Sequence, residues 1–230
     1  MLLTLEAVLN PQQLAQARAL LMQARWEDGG NSAGQQAARV KQNRQLAGGS
    51  PELPALRALV LDALARHAQF FAAALPRQIL PPQFNCHSGS HNHYGAHADC
   101  AMHTLPGGGW LRADVSATLF LSEPDEYEGG ALSIQDTFGQ HQVKLPAGSL
   151  VLYPSSSIHE VQPVTSGSRL ACFLFIQSLV RDSTQRRLLY DMDMALLTLR
   201  QRQNPSPAEE AALMQLTGSY HNLLRMWGEN

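Results

Sequence analysis

His91-Asn92-His93-Tyr94-Gly95-Ala96-His97-Ala98-Asp99 lies inside a region of short extended runs, and the reading of that region decides the fold. Upstream, apolar residues recur every three or four positions. From Ile79 to Ser178 the period falls to two, and the runs are cut by proline and glycine. Candidate strands are 79–87, 94–99, 114–122, 131–135, 142–145, 149–153, 158–163 and 168–178. Hairpin-like turns stand at Gly129-Gly130, Phe138-Gly139-Gln140 and Thr165-Ser166-Gly167-Ser168. The pattern predicts an α+β chain, mainly β, built on a double-stranded β-helix (a jelly roll) over 79–178 with a cleft between its sheets.

Helices are expected on both sides of this region. Asn10, Pro11 and Gln13 form a capping box with proline at the first helical position, and Leu14, Ala17, Leu20 and Leu21 follow at helical spacing. A helix over 10–26 results. Residues 29–49 are small, polar and basic (Arg39, Lys41, Arg44) and read as a loop. A second helix over 51–72 aligns Leu53, Leu56, Val60, Leu64, His67 and Phe71 on one face, His67 among them as a packing residue. These N-terminal helices are expected to buttress the sheet. After Ser178 the helical period returns through Leu188, Leu189, Met192, Leu196 and Leu199. The run Asn204-Pro205-Ser206-Pro207 breaks it, and a final helix follows through Leu213, Leu216, Tyr220, Leu223, Leu224 and Trp227. The expected division is a domain over 1–178 and a C-terminal helical extension over 179–230, whose helices are available for a homodimer.

Composition narrows the partners. A formal net charge of -2 argues against nucleic acid or an anionic membrane. No apolar run approaches a membrane span, and the N-terminus lacks the basic and small-residue pattern of a secretory signal. Three cysteines without C-x-x-C spacing suit reduced thiols, so a cytoplasmic location is expected.

In extended backbone, residues i and i+2 share a face, so His97 and Asp99 can offer an imidazole and a carboxylate to one point. The run Tyr153-Pro154-Ser155-Ser156-Ser157-Ile158-His159 supplies a third ligand, His159. Two histidines and one carboxylate leave three positions of an octahedral ion open, the arrangement of non-haem Fe(II) oxygenases. The bland reading, a polar strand face, competes for His97 and Asp99 taken alone. Ten residues after His159, alternation places Arg169 on one face with Ala171, Phe173 and Phe175. There it either pairs with a bound carboxylate or is solvated at the end of a hairpin. A zinc hydrolase site of the form H-x-H-x-D-H fails on spacing, because Gly95 and Ala96 occupy its last two positions. His91 and His93 then read as cleft-rim residues, and Leu105-Pro106-Gly107-Gly108-Gly109-Trp110-Leu111 as a flap across the cleft mouth.

These residues, with Ala113–Pro124, Leu145–Ser157 and Ile176–Asp182, make the chain resemble the Fe(II)- and 2-oxoglutarate-dependent dioxygenases, specifically the bacterial PKHD-type hydroxylases related to prolyl 4-hydroxylases. The resemblance spans about Pro82 to Leu197. It implies Fe(II) on His97, Asp99 and His159, 2-oxoglutarate as co-substrate with its distal carboxylate on Arg169, and L-ascorbate as a further cofactor. It also implies O2 and a small-molecule or peptide substrate, hydroxylated as 2-oxoglutarate is decarboxylated to succinate. At His87 the family more often has a tyrosine that binds the co-substrate, and Cys100-Ala101-Met102-His103 departs from the string usual after the H-x-D. His87 and Tyr94 are therefore further co-substrate candidates, Tyr94 being equally well read as packing. Two other readings stand beside this one: a non-catalytic metal-binding or sensing module, and an assembly protein with a vestigial site.

Overall fold

Asn10 caps the first helix through the box its neighbours predict. Its side chain accepts from the Gln13 amide at 2.9 Å, and the Gln13 side chain accepts from the Asn10 amide at 3.0 Å. The structure, a computed structural model, describes residues 1–32, 34–137 and 139–229. The N-terminal part comprises β1 (Leu3–Leu5), α1 (Pro11–Gln23), β2 (Trp26–Asp28), α2 (Gln35–Ala38), β3 (Lys41–Gln42) and β4 (Arg44–Leu46). Then come α3 (Leu53–Ala65), α4 (Ala68–Ala74), β5 (Pro76–Ile79), β6 (Gln83–His87), β7 (His93–His97), β8 (Met102–Thr104), β9 (Trp110–Arg112) and β10 (Val115–Phe120). The remainder is β11 (Tyr127–Gly129), β12 (Leu132–Asp136), β13 (Gly139–Val143), β14 (Leu150–Pro154), β15 (His159–Val161), β16 (Val164–Gly167), β17 (Arg169–Ser178), α5 (Ser183–Arg200) and α6 (Pro207–Trp227).

The expected double-stranded β-helix is not what the strands build. They pair into four open sheets, and among the described residues none closes into a barrel or jelly roll. The largest has eight strands in the order β1-β14-β10-β17-β6-β4-β2, with β5 also on β17, and a second has five in the order β13-β12-β15-β7-β3. Two two-stranded pairs, β8-β9 and β11-β16, complete the set. The physical reason lies in N-terminal segments outside the region of short extended runs. β1, β2, which begins where the first helix was expected to end, and β3 and β4, from the stretch expected to be a loop, extend the sheet edges outward instead of letting them join. Prolines 81 and 82 also split the single strand expected over 79–87 into β5 and β6, because proline cannot donate to a ladder.

The second helix is likewise two. His67 is not on a continuous packing face; its Nδ1 accepts from the Phe70 amide at 3.2 Å and caps α4, which ends at Leu75 in the left-handed region. The turn expected at Phe138-Gly139-Gln140 falls between β12 and β13, with Phe138 itself outside the described residues.

Alternation sorts the eight-stranded sheet into two faces. The outer face (Ala117, Leu119, Leu152, Cys172, Leu174, Ile176) packs against Ala17 and Leu21 of α1, Leu56 and Val60 of α3 and Phe70 of α4, so the helices do buttress the sheet. From the inner face, Phe120, Val151 and Tyr153 meet Leu132, Ile134, Val143 and Val161 in a second, smaller core between the two large sheets. Where this inner core stops, the sheets leave a cavity. At the C-terminus, Leu189 and Leu196 of α5 pack with Tyr220 of α6, Val180 and Leu75, whereas Leu188 and Leu199 of the expected stripe are exposed. Among the described residues no helix is long and apolar enough to cross a membrane.

Candidate metal centre

The two half-sites meet because β7 and β15 are antiparallel neighbours with His97 opposite His159. Side chains 62 positions apart in sequence thus have ring centroids 4.3 Å apart. Asp99, two residues past His97 and just beyond the end of β7, places Oδ1 3.9 Å from His97 Nε2 and 3.7 Å from His159 Nε2. The three ligand atoms all lie within 4.8 Å of one another, close enough to hold one ion.

Neighbouring groups fix the direction of each ligand. His97 Nδ1 lies 2.8 Å from the Gly95 carbonyl and His159 Nδ1 3.1 Å from the Ser157 carbonyl. A carbonyl only accepts, so each Nδ1 carries the proton and each Nε2 lone pair faces the centre. Burial, and then the facing His159, pulls His97 down to about 4, which keeps it in the neutral form a metal requires. Ser116 Oγ donates to Asp99 Oδ2 at 2.6 Å and lies 2.8 Å from Ser155 Oγ. The set of two imidazoles and one oriented carboxylate fits a divalent first-row metal with open positions.

The structure puts Arg169 at the start of β17, on the inner face with Ala171, Phe173 and Phe175, and only 1% exposed. None of its three guanidinium nitrogens has a hydrogen-bond partner. Burial lowers its pKa; Tyr127 and Tyr153 lie near enough to favour the charge, Tyr127 as a polar neighbour that falls short of full hydrogen-bond geometry. The Arg169 carbon Cζ lies 5.1 Å from the Phe120 ring centroid. A buried cation with no acceptor is costly.

His87 sits opposite Arg169 on β6, completely buried, with Nε2 3.2 Å from Asn43 Nδ2. It is not a cavity wall. Tyr94 is one: its ring stacks on His97 at 3.6 Å and 14°. Burial pushes its phenol up to about 12. His91 and His93 do not line the cavity, while His103 does, stacked on Phe175 at 4.2 Å. The segment 105–111 forms the tip of the β8-β9 hairpin; the hairpin root (Cys100, His103) lines the cavity and the glycine tip does not.

Sequence reasoning missed one side of this cavity of about 580 Å³: Lys41, Asn43, Gln45, Gln83 and Asn85. The signal was present as polar alternation. Lys41, Asn43 and Gln45 are buried while Gln42 and Arg44 are exposed, a period of two that a search for apolar periodicity passes over.

A chain with this site is a metal-dependent protein of the two-histidine, one-carboxylate class. Comparison with known proteins narrows the class. The family described as the 2OG-Fe(II) oxygenase superfamily matches residues 82–177, and the PKHD-type hydroxylase C-terminal domain matches residues 183–229. A PKHD-type hydroxylase of Nitrosomonas eutropha (strain DSM 101675 / C91 / Nm57) is 60% identical over 231 residues, with 100% of both chains covered. One of Azoarcus sp. (strain BH72) is 58% identical over 229 residues, again with 100% of both chains covered. Among solved structures, a Pseudomonas putida prolyl-4-hydroxylase superposes with TM-score 0.50 at 19% identity, covering 77% of this chain and 92% of its own. An oxidoreductase of the 2OG-Fe(II) oxygenase family from Burkholderia pseudomallei gives 0.53 at 18% identity, covering 76% and 84%. These structural likenesses show the fold alone. The chain belongs to the PKHD-type hydroxylases of the 2OG-Fe(II) oxygenase superfamily. It is a dioxygenase-type enzyme that uses Fe(II) and 2-oxoglutarate.

Proposed function

We propose that the enzyme hydroxylates a C–H bond of an organic substrate, with 2-oxoglutarate and O2 converted to succinate and CO2. In this reading His97, Asp99 and His159 hold the Fe(II), and Arg169 pairs with the distal carboxylate of 2-oxoglutarate. The observation that carries it is the fully buried Arg169 guanidinium, without a hydrogen-bond partner, on the cavity face beside the triad. When bound, the ion with 2-oxoglutarate and O2 supplies the oxidising power that inserts one oxygen atom into the substrate and leaves the other in succinate.

The chain's own residues do the rest. Ser155 and Ser116 orient Asp99, and the Gly95 and Ser157 carbonyls orient the imidazoles. Tyr94 covers one face of His97 and excludes water there. His87 stands opposite Arg169 in the strand register, with its Nε2 3.2 Å from Asn43 Nδ2, and in this reading it is a buried neighbour of Arg169 that does not itself reach the cavity. We read 1–178 as the unit carrying this chemistry and 179–230 as an extension packed on α4, in keeping with family matches that meet between 177 and 183.

The test is anaerobic titration of the Fe(II)-loaded protein with 2-oxoglutarate, read by the visible charge-transfer absorption of the chelated ion. A band that requires Arg169 supports the reading. No band in folded, iron-loaded wild type overturns it.

A further inference from the structure

Strand β17 divides the cavity floor. On one side Ser116 reaches up to the triad. On the other, the register sets Gln83 opposite Phe173, Asn85 opposite Ala171 and Gln45 opposite Asn85, so carboxamides of β6 and β4 pave the floor. Lys41 comes from the facing sheet, where it pairs with Tyr94, and its Nζ donates to Gln45 Oε1 at 3.2 Å. Gln45 donates on to Gln83 at 3.4 Å and Gln83 to the Pro81 carbonyl at 3.1 Å. This chain orients both glutamines. The ammonium stands 5.3 Å from the Tyr94 ring centroid and 5.9 Å from that of Phe173. Asn85 Oδ1 is buried among these groups with no donor to it.

Charge makes the arrangement specific. The charged cavity walls are Lys41, Arg169 and Asp99, two cations against one carboxylate. A divalent ion and a dianionic co-substrate cancel each other, which leaves one positive charge in excess. Burial pulls Lys41 down to about 8, which still leaves it mostly charged at neutral pH, and Asp28, from outside the cavity wall, and Asp99 act against that fall. Phe173, beneath Lys41, is four residues from Arg169 along β17, roughly 13 Å of strand. That spacing separates the two cations into seats for two different anions. A cavity of about 580 Å³ has room for a second small molecule beside the co-substrate.

We propose that this side of the cavity binds the primary substrate. It takes a carboxylate that also carries an N–H or O–H donor and an apolar or aromatic body. Lys41 holds the carboxylate, Asn85 Oδ1 accepts from the donor, and Phe173 and Phe175 receive the body. The inference rests on the dioxygenase reading above and deepens it.

The experiment is calorimetric titration, without oxygen, of N-acetyl-L-phenylalanine and of its uncharged amide, N-acetyl-L-phenylalaninamide. Each is titrated into metal-free protein and into protein loaded with Fe(II) and 2-oxoglutarate. The acid is expected to bind about tenfold or more tighter than the amide, as one charge-assisted pair predicts. Lys41→Met removes that preference and Lys41→Arg keeps it. Asn85→Leu weakens both ligands, and the 2-oxoglutarate band of Lys41→Met stays within about twofold of wild type. Equal binding of acid and amide to wild type, or no binding of either, overturns the proposal. So does a tenfold or greater loss of 2-oxoglutarate affinity in Lys41→Met, which assigns Lys41 to the co-substrate. An acid preference without any 2-oxoglutarate band leaves this subsite standing and sinks the dioxygenase reading instead.

Discussion

His87 and Arg169 face each other in antiparallel register on β6 and β17, 0% and 1% exposed, and burial together with the guanidinium charge keeps the imidazole neutral. Burial first, and then the guanidinium, pushes the His87 imidazole well below its ordinary value. Lys41 and His93 act in the same direction.

A pH dependence of stability follows. Folded His87 and His97 stay neutral, whereas in the unfolded chain each takes up a proton below about 6.5. Their contribution is therefore fully present above that pH and declines as pH falls. For His97 the decline is complete near its folded value of about 4, and for His87 it also begins near 6.5. The melting temperature of metal-free protein should hold from pH 8 to 7 and drop between 6.5 and 4, with a smaller drop in His87→Gln. Identical pH profiles for the two proteins would rule out a neutral, buried His87.

Arg169→Met should separate function from folding by sign. The guanidinium has no hydrogen-bond partner, so replacing it with an apolar side chain should stabilise metal-free protein, by about 1–3 kcal/mol. The same change should weaken 2-oxoglutarate by at least about thirtyfold, the loss of a buried charge-assisted pair. Urea melts and the anaerobic band titration measure the two effects. A variant destabilised and unchanged in 2-oxoglutarate affinity would assign Arg169 a structural role.

Ser116→Ala removes the hydroxyl that orients Asp99 while leaving all three ligands in place. Fe(II) affinity should fall by about 10–100-fold, read by competition with a chromophoric chelator. A His97→Ala variant, by contrast, should lose tight binding altogether. Equal affinity in wild type and Ser116→Ala would show that Asp99 needs no such support.

Gly167 lies on β16 opposite Tyr127, at φ +76°, where an added Cβ would sit 2.1 Å from the Glu126 carbonyl oxygen. Neither strand can yield without moving Tyr127, which is adjacent to Arg169. Gly167→Ala should cost about 1–3 kcal/mol from the left-handed backbone alone, plus the clash, and should also weaken 2-oxoglutarate. A melting temperature equal to wild type would mean that the β11-β16 pair is free to shift.

Local chemistry made much of the chain readable. Asn10-Pro11-Gln13 and Ser206-Pro207-Glu209 are capping boxes whose partners lie within three residues, so α1 and α6 begin where the sequence says. His97 and Asp99 share a strand end, and the alternation of 169–175 sets Arg169 on one face with Ala171, Phe173 and Phe175. Non-local pairing was not readable in this way. β3 and β4 escape a search for apolar periodicity, because their side chains alternate buried polar with exposed polar, and that contrast is visible only once β6 and β7 are there to pair with. The open sheets replaced the expected jelly roll for the same reason: edge strands contributed by distant segments determine whether a sheet closes, and strands as polar as β3 and β4 specify their register only weakly. By itself, the sequence determined where α1 and α6 begin, the three metal ligands as candidates and the apolar face that bears Arg169. Only the tertiary structure decided that His159 stands opposite His97, that His87 lies behind Arg169 and outside the cavity, and that Lys41 crosses from one sheet to the other, because each depends on which backbone groups, far apart in the chain, satisfy one another's hydrogen bonds.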